Sequence, residues 1–248
     1  DSLPDIMVTP NARNVSENQK NNLYFRNFGT ASQPDFLFQR RDFLENSLID
    51  VGSGAIPVFV NYDRDSLMDL AIANERSFFR EGQLPQLGTQ VDLYRNVGTR
   101  KEPRFELFIQ DLGNLGAMET YDTHAIPAFA DLDGDRDLDM LIGKANGTVD
   151  YYENLSPVPN NPFPKFTLAQ VNLSGIQGGS SVVPLLVELT GDSLPDLLLG
   201  NANGTIRYYE NVSQGGSVDF QLVSNQFGAI DVSGGEPGTG FSVPTLYH

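Results

Sequence analysis

An internal repeat restricts the fold of this chain more than any other feature of its sequence. The segment DMLIGKANGTVDYYEN, from Asp139, and the segment DLLLGNANGTIRYYEN, from Asp196, are identical at eleven of sixteen positions. A short apolar segment with a proline precedes each, and further copies of it surround Pro57 and Pro244. Since the prolines at 57, 127, 184 and 244 are 70, 57 and 60 residues apart, the period is about 60 residues. One supersecondary unit is therefore used about four times.

The local pattern within one repeat predicts β-structure alone. In the clearest copy, the predicted strands are residues 126–130, 139–143, 148–153 and 163–171. Asn146-Gly147 predicts a hairpin of type I′, in which both central residues have positive φ. Helical periodicity is absent. Four short strands per repeat predict an all-β chain, a β-propeller of four-stranded antiparallel blades, with a solenoid as the alternative.

The predicted blades follow the repeat and form a single region over residues 1–248. Their approximate bounds are 1–56, 57–126, 127–183 and 184–243, and residues 244–248 begin a further blade. His248 takes the position of Asp131, and Asp1 that of Asp135, so each lies in an acidic loop. We expect a fragment of a larger propeller; the alternative is a four-bladed ring in which the C-terminal strand completes the N-terminal blade.

An acidic loop follows the first strand of each repeat. The clearest copy contains Asp131, Asp133, Asp135, Asp137 and Asp139, with Gly134 at the bend. Carboxylates at positions 1, 3, 5 and 9 would repel one another unless a cation lay between them. Calcium accepts six to eight oxygen ligands in a flexible geometry, whereas magnesium requires an octahedron. We predict calcium, with Asp137 contributing its backbone carbonyl.

Two further loops repeat this pattern with substitutions. The preceding repeat has Asn61, Asp63, Asp65 and Asp69, and the following repeat has Glu188, Thr190, Asp192 and Asp196. Each position keeps a side-chain oxygen, so both loops are predicted metal sites. The last loop is expected to bind calcium most weakly, and the alternative is that it is empty. The alternative is that all three are solvated turns, in which Asp and Asn serve turn propensity.

These residues resemble the FG-GAP / VCBS repeat family, the integrin-α-like propellers, over nearly the whole chain. The resemblance rests on the loop Asp131–Asp139 between an apolar-proline strand and a Leu-Ile-Gly strand. It implies calcium ligands in all three loops. The Tyr-Tyr-Glu-Asn strand is similar to repeats of large secreted and surface-anchored bacterial proteins, which implies a secreted or cell-surface location.

Composition narrows the range of partners. Acidic residues outnumber basic ones 32 to 16, for a net charge of −16. This charge favours cations and argues against nucleic acid and anionic membranes. The chain has no cysteine and so forms neither a disulfide nor a Cys-ligated zinc site. No apolar run has the length of a membrane helix, so membrane insertion is not expected.

The leading functional prediction is a non-enzymatic extracellular module for adhesion, ligand binding or scaffolding, which contacts protein or polysaccharide through a propeller face. The alternative is a carbohydrate-active propeller. A polysaccharide lyase needs a base, but His124, the one internal histidine, is expected to be a loop or rim residue. This leaves a lyase that uses Arg or Lys with a calcium-bound uronate as the enzymatic alternative. A lectin would stack sugars on Tyr151-Tyr152 or Tyr208-Tyr209, although neighbours in a strand face opposite sides, so that one ring of each pair is expected in a blade interface.

A long insertion separates two strands of the second repeat. It follows Ala71 and carries Arg76, Phe78, Phe79 and Arg80, the segment that we expect to contact a partner. A plain long hairpin is the alternative.

Overall fold

The computed structural model describes residues 3–9, 22–41, 43, 48–49, 51, 54–74, 89–117, 124–155, 164–234 and 240–246. This part of the chain is all-β, as predicted, with three short 3-10 turns at Leu112–Ala117, Leu173–Gly175 and Phe227–Ala229. Its strands are β1 (Ile6–Val8), β2 (Leu23–Asn27), β3 (Phe36–Arg40), β4 (Ile56–Val60), β5 (Asp69–Ala73), β6 (Val91–Asn96), β7 (Phe105–Ile109), β8 (Ala125–Ala130), β9 (Asp139–Lys144), β10 (Val149–Asn154), β11 (Phe166–Gln170), β12 (Val183–Val187), β13 (Asp196–Gly200), β14 (Ile206–Asn211) and β15 (Phe220–Ser224).

The strands form four separate antiparallel sheets in chain order. Sheet 1 contains β1-β2-β3, sheet 2 β4-β5-β6-β7, sheet 3 β8-β9-β10-β11 and sheet 4 β12-β13-β14-β15. Neighbours in the chain pair with each other because antiparallel strands need only short connections. No helix in the described ranges is long and apolar enough to cross a membrane.

The predicted strands of the clearest repeat are present in sheet 3. Strands β8, β9 and β10 lie within one residue of the predicted bounds at each end. Strand β11 is shorter than predicted, and Phe163, with which the prediction began, lies outside the described residues.

The hairpin at Asn146-Gly147 is confirmed, but its type differs from the prediction. Gly147 has a φ of 87°, whereas Asn146 is not among the residues with positive φ. The Gly147 N–H donates to the Lys144 carbonyl at 3.1 Å, and the Lys144 N–H donates to the Thr148 carbonyl at 3.0 Å. This is a three-residue loop, a type I turn closed by a glycine in the left-handed region, which needs only one positive φ.

Two apolar cores lie between neighbouring sheets. One joins Leu93 of sheet 2 to Ile142 and Tyr152 of sheet 3. The other joins Leu141 of sheet 3 to Leu199 of sheet 4. Adjacent residues such as Leu141 and Ile142 point to opposite faces, so both faces of sheet 3 are covered. This explains why β9 is apolar at consecutive positions rather than at alternate ones.

Neighbouring parts of the chain approach closely beside Gly143 and Gly200. A Cβ on Gly143 would lie 2.4 Å from the carbonyl oxygen of Val182, and one on Gly200 would lie 2.2 Å from that of Ser242. Ala73 takes the equivalent place in sheet 2. The absence of a side chain therefore lets the segment that precedes the next apolar-proline strand pack directly against β9 and β13.

The four apolar-proline segments line one cavity. Its volume is about 720 Å³, and its walls include residues 56–61, 126–129, 183–186 and 243–246. The first three segments are β4, β8 and β12, each an edge strand of its sheet, whereas residues 243–246 belong to no strand. Sheets 2, 3 and 4 thus present equivalent edges to a common space.

Candidate metal centre

The three acidic loops share one backbone shape. Positions 4 and 6 of each loop have positive φ, although glycine occupies only two of these six positions. The residues are Arg64 (56°) and Ser66 (74°), Gly134 (85°) and Arg136 (77°), and Gly191 (87°) and Ser193 (72°). Gly134 therefore relieves a tight bend, as the sequence predicts. Because the bend is common to all three loops, their differences in chemistry come from their side chains.

The loop from Asp131 to Asp139 brings three carboxylates together. One oxygen from each of Asp131, Asp133 and Asp139 lies within 4.8 Å of the others, the one such group in the described part of the chain. Asp131 also shapes the loop, because its two oxygens accept the N–H groups of Gly134 at 2.8 Å and of Arg136 at 3.1 Å. Burial raises the pKa of Asp133, and the charges of Asp135 and Asp131 raise it further.

Asp139 is tied into the sheet from both sides. One carboxylate oxygen accepts the Leu132 N–H at 3.1 Å, and the other accepts the Asn154 N–H at 3.0 Å. The residue is 1% exposed, and burial raises its pKa to about 7. Each oxygen retains a second lone pair, so these bonds leave Asp139 able to bind a cation.

The same aspartate–asparagine pair occurs in every sheet. The Asn96, Asn211 and Asn27 N–H groups donate to Asp69, Asp196 and Asp5 at 2.8, 2.9 and 2.8 Å. Asp5 is thereby the counterpart of Asp139 in sheet 1. Loop spacing already places Asp5 at the position of Asp139, but it does not reveal the hydrogen bond, for which the signal in the sequence is the asparagine that ends β2, β6, β10 and β14.

The side chain of Asp137, in the same loop as Asp139, is unexpectedly buried. Position 7 is predicted to offer only its backbone carbonyl, yet the residue is 6% exposed and neither carboxylate oxygen accepts a hydrogen bond. Burial, followed by the charges of Asp135 and Asp133, raises its pKa to about 7. A buried carboxylate without a donor is costly unless a cation lies nearby. The donor set therefore fits a hard divalent ion.

The second loop has the predicted residues but a different arrangement. The guanidinium of Arg95, on β6, lies beside its carboxylates, with Nη2 2.6 Å from Asp63 Oδ2 and 4.0 Å from Asp65 Oδ2. The Asn61 Oδ1 atom is buried without a partner. Asp69 is fully buried, and burial raises its pKa.

The loop of sheet 4 is the most open. Glu188 Oε1 accepts the Gly191 N–H at 2.6 Å and the Thr190 hydroxyl at 3.5 Å. Asp192 Oδ1 accepts the Leu194 N–H at 2.8 Å. Glu188, Thr190 and Asp192 are exposed, and only Asp196 is buried. Glu188 and Asp192 thus accept N–H groups of the turn. Asp196 instead accepts the Leu189 N–H at 3.1 Å and the Asn211 N–H of β14.

The tyrosine pairs have a structural role beyond the prediction. Tyr151 and Tyr152 are both buried, in the cores on opposite sides of sheet 3. Tyr209 is buried as well, and Tyr208 is partly exposed beside Phe227. Both rings of the Tyr151-Tyr152 pair, rather than the one that was expected, therefore lie in sheet interfaces. Neither ring presents a stacking surface to a sugar.

The remaining predicted positions carry no site chemistry in the described residues. The His124 ring lies 6.1 Å from that of Phe241, and its Nε2 is buried without a hydrogen bond. Asp1, His248 and the insertion with Arg76, Phe78, Phe79 and Arg80 lie outside the described residues.

Comparison with known proteins identifies no relative. No protein-family model, no curated protein and no solved structure matches this chain.

Proposed function

We propose that the chain is a calcium-stabilised β-propeller region, related to the FG-GAP / VCBS repeats, that serves adhesion, ligand binding or scaffolding outside the cell. The observation that carries the proposal is the group of Asp131, Asp133 and Asp139 oxygens within 4.8 Å of one another. The buried carboxylate of Asp137, which has no donor, adds to it.

The arrangement of the sheets supports a propeller. The first strands of sheets 2, 3 and 4 border one cavity, and the two cores pack sheet 2 against sheet 3 and sheet 3 against sheet 4. Radially repeated four-stranded sheets around a central space are the propeller architecture. In this proposal, sheets 1 to 4 are blades, and the cavity is the central channel.

Calcium has a structural role in this proposal. Asp131, Asp133, Asp135 and Asp139 supply carboxylate ligands, and Asp137 adds its carbonyl and a buried negative charge. An ion that binds only the native state stabilises that state. A free calcium concentration of a hundred times Kd therefore adds about 2.7 kcal/mol to the free energy of unfolding. Extracellular modules bind calcium with Kd values on the order of 10⁻⁴–10⁻³ M. A secreted or cell-surface location would provide calcium at that level.

Calorimetric titration and thermal melting test this function. We expect at least one bound calcium ion, and a Tm that is higher in calcium than in chelator. Asp133→Asn should reduce both effects, because it removes a converging carboxylate. Asp35→Asn, at an exposed position outside the loops, is the matched control. Equal melting points, together with no heat of binding, would contradict the proposal.

A further inference from the structure

The charge beside each acidic loop differs between sheets. The residue before the paired asparagine is Arg26 in sheet 1 and Arg95 in sheet 2. The same position holds Glu153 in sheet 3 and Glu210 in sheet 4. The hydrogen bond from the following asparagine to the loop's last aspartate fixes this position relative to the loop. The position is therefore equivalent in the four sheets, whereas the sign of its charge differs.

In sheet 2 this side chain reaches the carboxylates. Arg95 Nη2 lies 2.6 Å from Asp63 Oδ2, and the Asp63 side chain is 6% exposed. The contact is electrostatic rather than an aligned hydrogen bond, since Asp63 Oδ2 accepts none. With Asp65 Oδ2 at 4.0 Å, the guanidinium provides positive charge between two carboxylates. A calcium ion bound in this loop would lie beside the same two carboxylates.

We propose that Arg95 is the resident cation of the Asn61–Asp69 loop and that it keeps calcium out of this loop. The inference deepens the proposed function, on which it rests, because it names the residue that decides whether the Asn61–Asp69 loop binds an ion. Asn61 replaces the first aspartate of the loop and supplies no charge to offset the guanidinium. A unit charge a few ångströms from a divalent ion weakens binding by at least about tenfold, even at the dielectric constant of water.

Sheet 3 provides the contrast. Its loop carries five aspartates, and Glu153 adds negative charge at the position of Arg95. Three of its carboxylates converge, whereas no such group forms around Asp63 among the residues that the structure describes. The two loops share their backbone bends, so the difference follows from side-chain charge.

Calcium stoichiometry measured by calorimetry on the full chain tests the inference. Arg95→Gln should bind one calcium ion more than the parent, and Arg95→Lys, which keeps the charge, should match the parent. Adding Asp65→Asn to Arg95→Gln should remove the gained ion and so locate it. Arg104→Gln is the control for loss of a charge on the same sheet, since Arg104 is exposed and pairs only with Glu106 at 3.6 Å in the described contacts.

The outcomes separate this inference from the proposed function. The parent's stoichiometry tests calcium binding itself, and the difference between Arg95→Gln and the parent tests the role of Arg95. An unchanged count in Arg95→Gln overturns the inference, as does loss of an ion when Asp65→Asn is made in the parent. If Arg95→Gln does not fold in chelator, Arg95→Glu, which introduces the residue type of sheets 3 and 4, is titrated instead under the same criteria.

Discussion

The carboxylate of Asp139 and the backbone N–H of Asn154 are joined by a 3.0 Å hydrogen bond that links the metal loop to the third strand of its sheet. The second oxygen of Asp139 holds the Leu132 N–H of the loop at 3.1 Å. The candidate ligand is thus also a structural brace, and loop and sheet are positioned by one side chain.

Asp139→Asn should destabilise the protein even without calcium. The amide keeps one acceptor and turns a donor toward the other buried N–H, a change that costs about 1–3 kcal/mol. Urea denaturation in chelator measures this loss. Asp135→Asn is the control, since Asp135 is exposed and its carboxylate contacts only Asp137 among the described residues, through the Asp137 N–H and carboxyl group. The stability of this variant should fall by less than about 0.5 kcal/mol. Equal losses would contradict a bracing role.

Asp137→Asn should stabilise the ion-free protein at pH 8 but not at pH 4. The folded-state pKa of Asp137 is about 7, above the unfolded value near 4, so the native state retains a proton that the unfolded chain releases. The ion-free fold therefore loses stability as the pH rises from 4 to 7, and this loss stays in place above pH 7. Parent and variant melting points in chelator should diverge over that range, and parallel curves would disprove the assignment.

Gly143→Ala should lower the free energy of unfolding by about 2 kcal/mol or more. The new Cβ would lie 2.4 Å from the backbone oxygen of Val182, which no change of rotamer can move away. Gly191→Ala has open space around its Cβ and should lose only about 1 kcal/mol to its positive φ. Denaturant melts of both variants measure the difference. A Gly143→Ala loss no larger than that of Gly191→Ala would show that the sheets are not in close contact there.

Arg64→Gly should stabilise the protein by about 0.5–1 kcal/mol. Arg64 has a φ of 56°, a conformation that costs a residue with a side chain about 1–2 kcal/mol, and glycine's greater freedom in the unfolded chain offsets part of the gain. Arg104→Gly makes the same replacement where φ is not positive and should not stabilise. The urea midpoints of the two variants measure this difference. A lower midpoint for Arg64→Gly than for the parent would contradict the prediction.

The repeat predicts the strands well because one register recurs. Strands β8, β9 and β10 match their predicted bounds within one residue, since a buried strand, a turn glycine and a second strand leave little choice of pairing. The turn type at Asn146-Gly147 is not predicted, because Asn146 also fits a turn in which only the glycine has positive φ.

The site is predicted less completely, because its decisive contacts are distant in sequence. Loop spacing identifies Asp131, Asp133 and Asp139 as a group. It does not connect Asp63 to Arg95, since this contact exists only after β5 and β6 pair. The burial of Asp137 likewise depends on how the rest of the chain packs around the loop. The spacing of aspartates within the loop carries no information about this packing.

The prolines of the cavity-lining segments have a consequence for association between molecules. Pro57, Pro127 and Pro184 each lie in an edge strand, and proline has no N–H to offer an incoming strand. These edges are poor templates for sheet extension. In the described residues, the other edge strands are β1 and the last strands of the four sheets, β3, β7, β11 and β15, and none of them contains proline. Strand-by-strand association between molecules should therefore begin at one of these edges rather than at the edges that border the cavity.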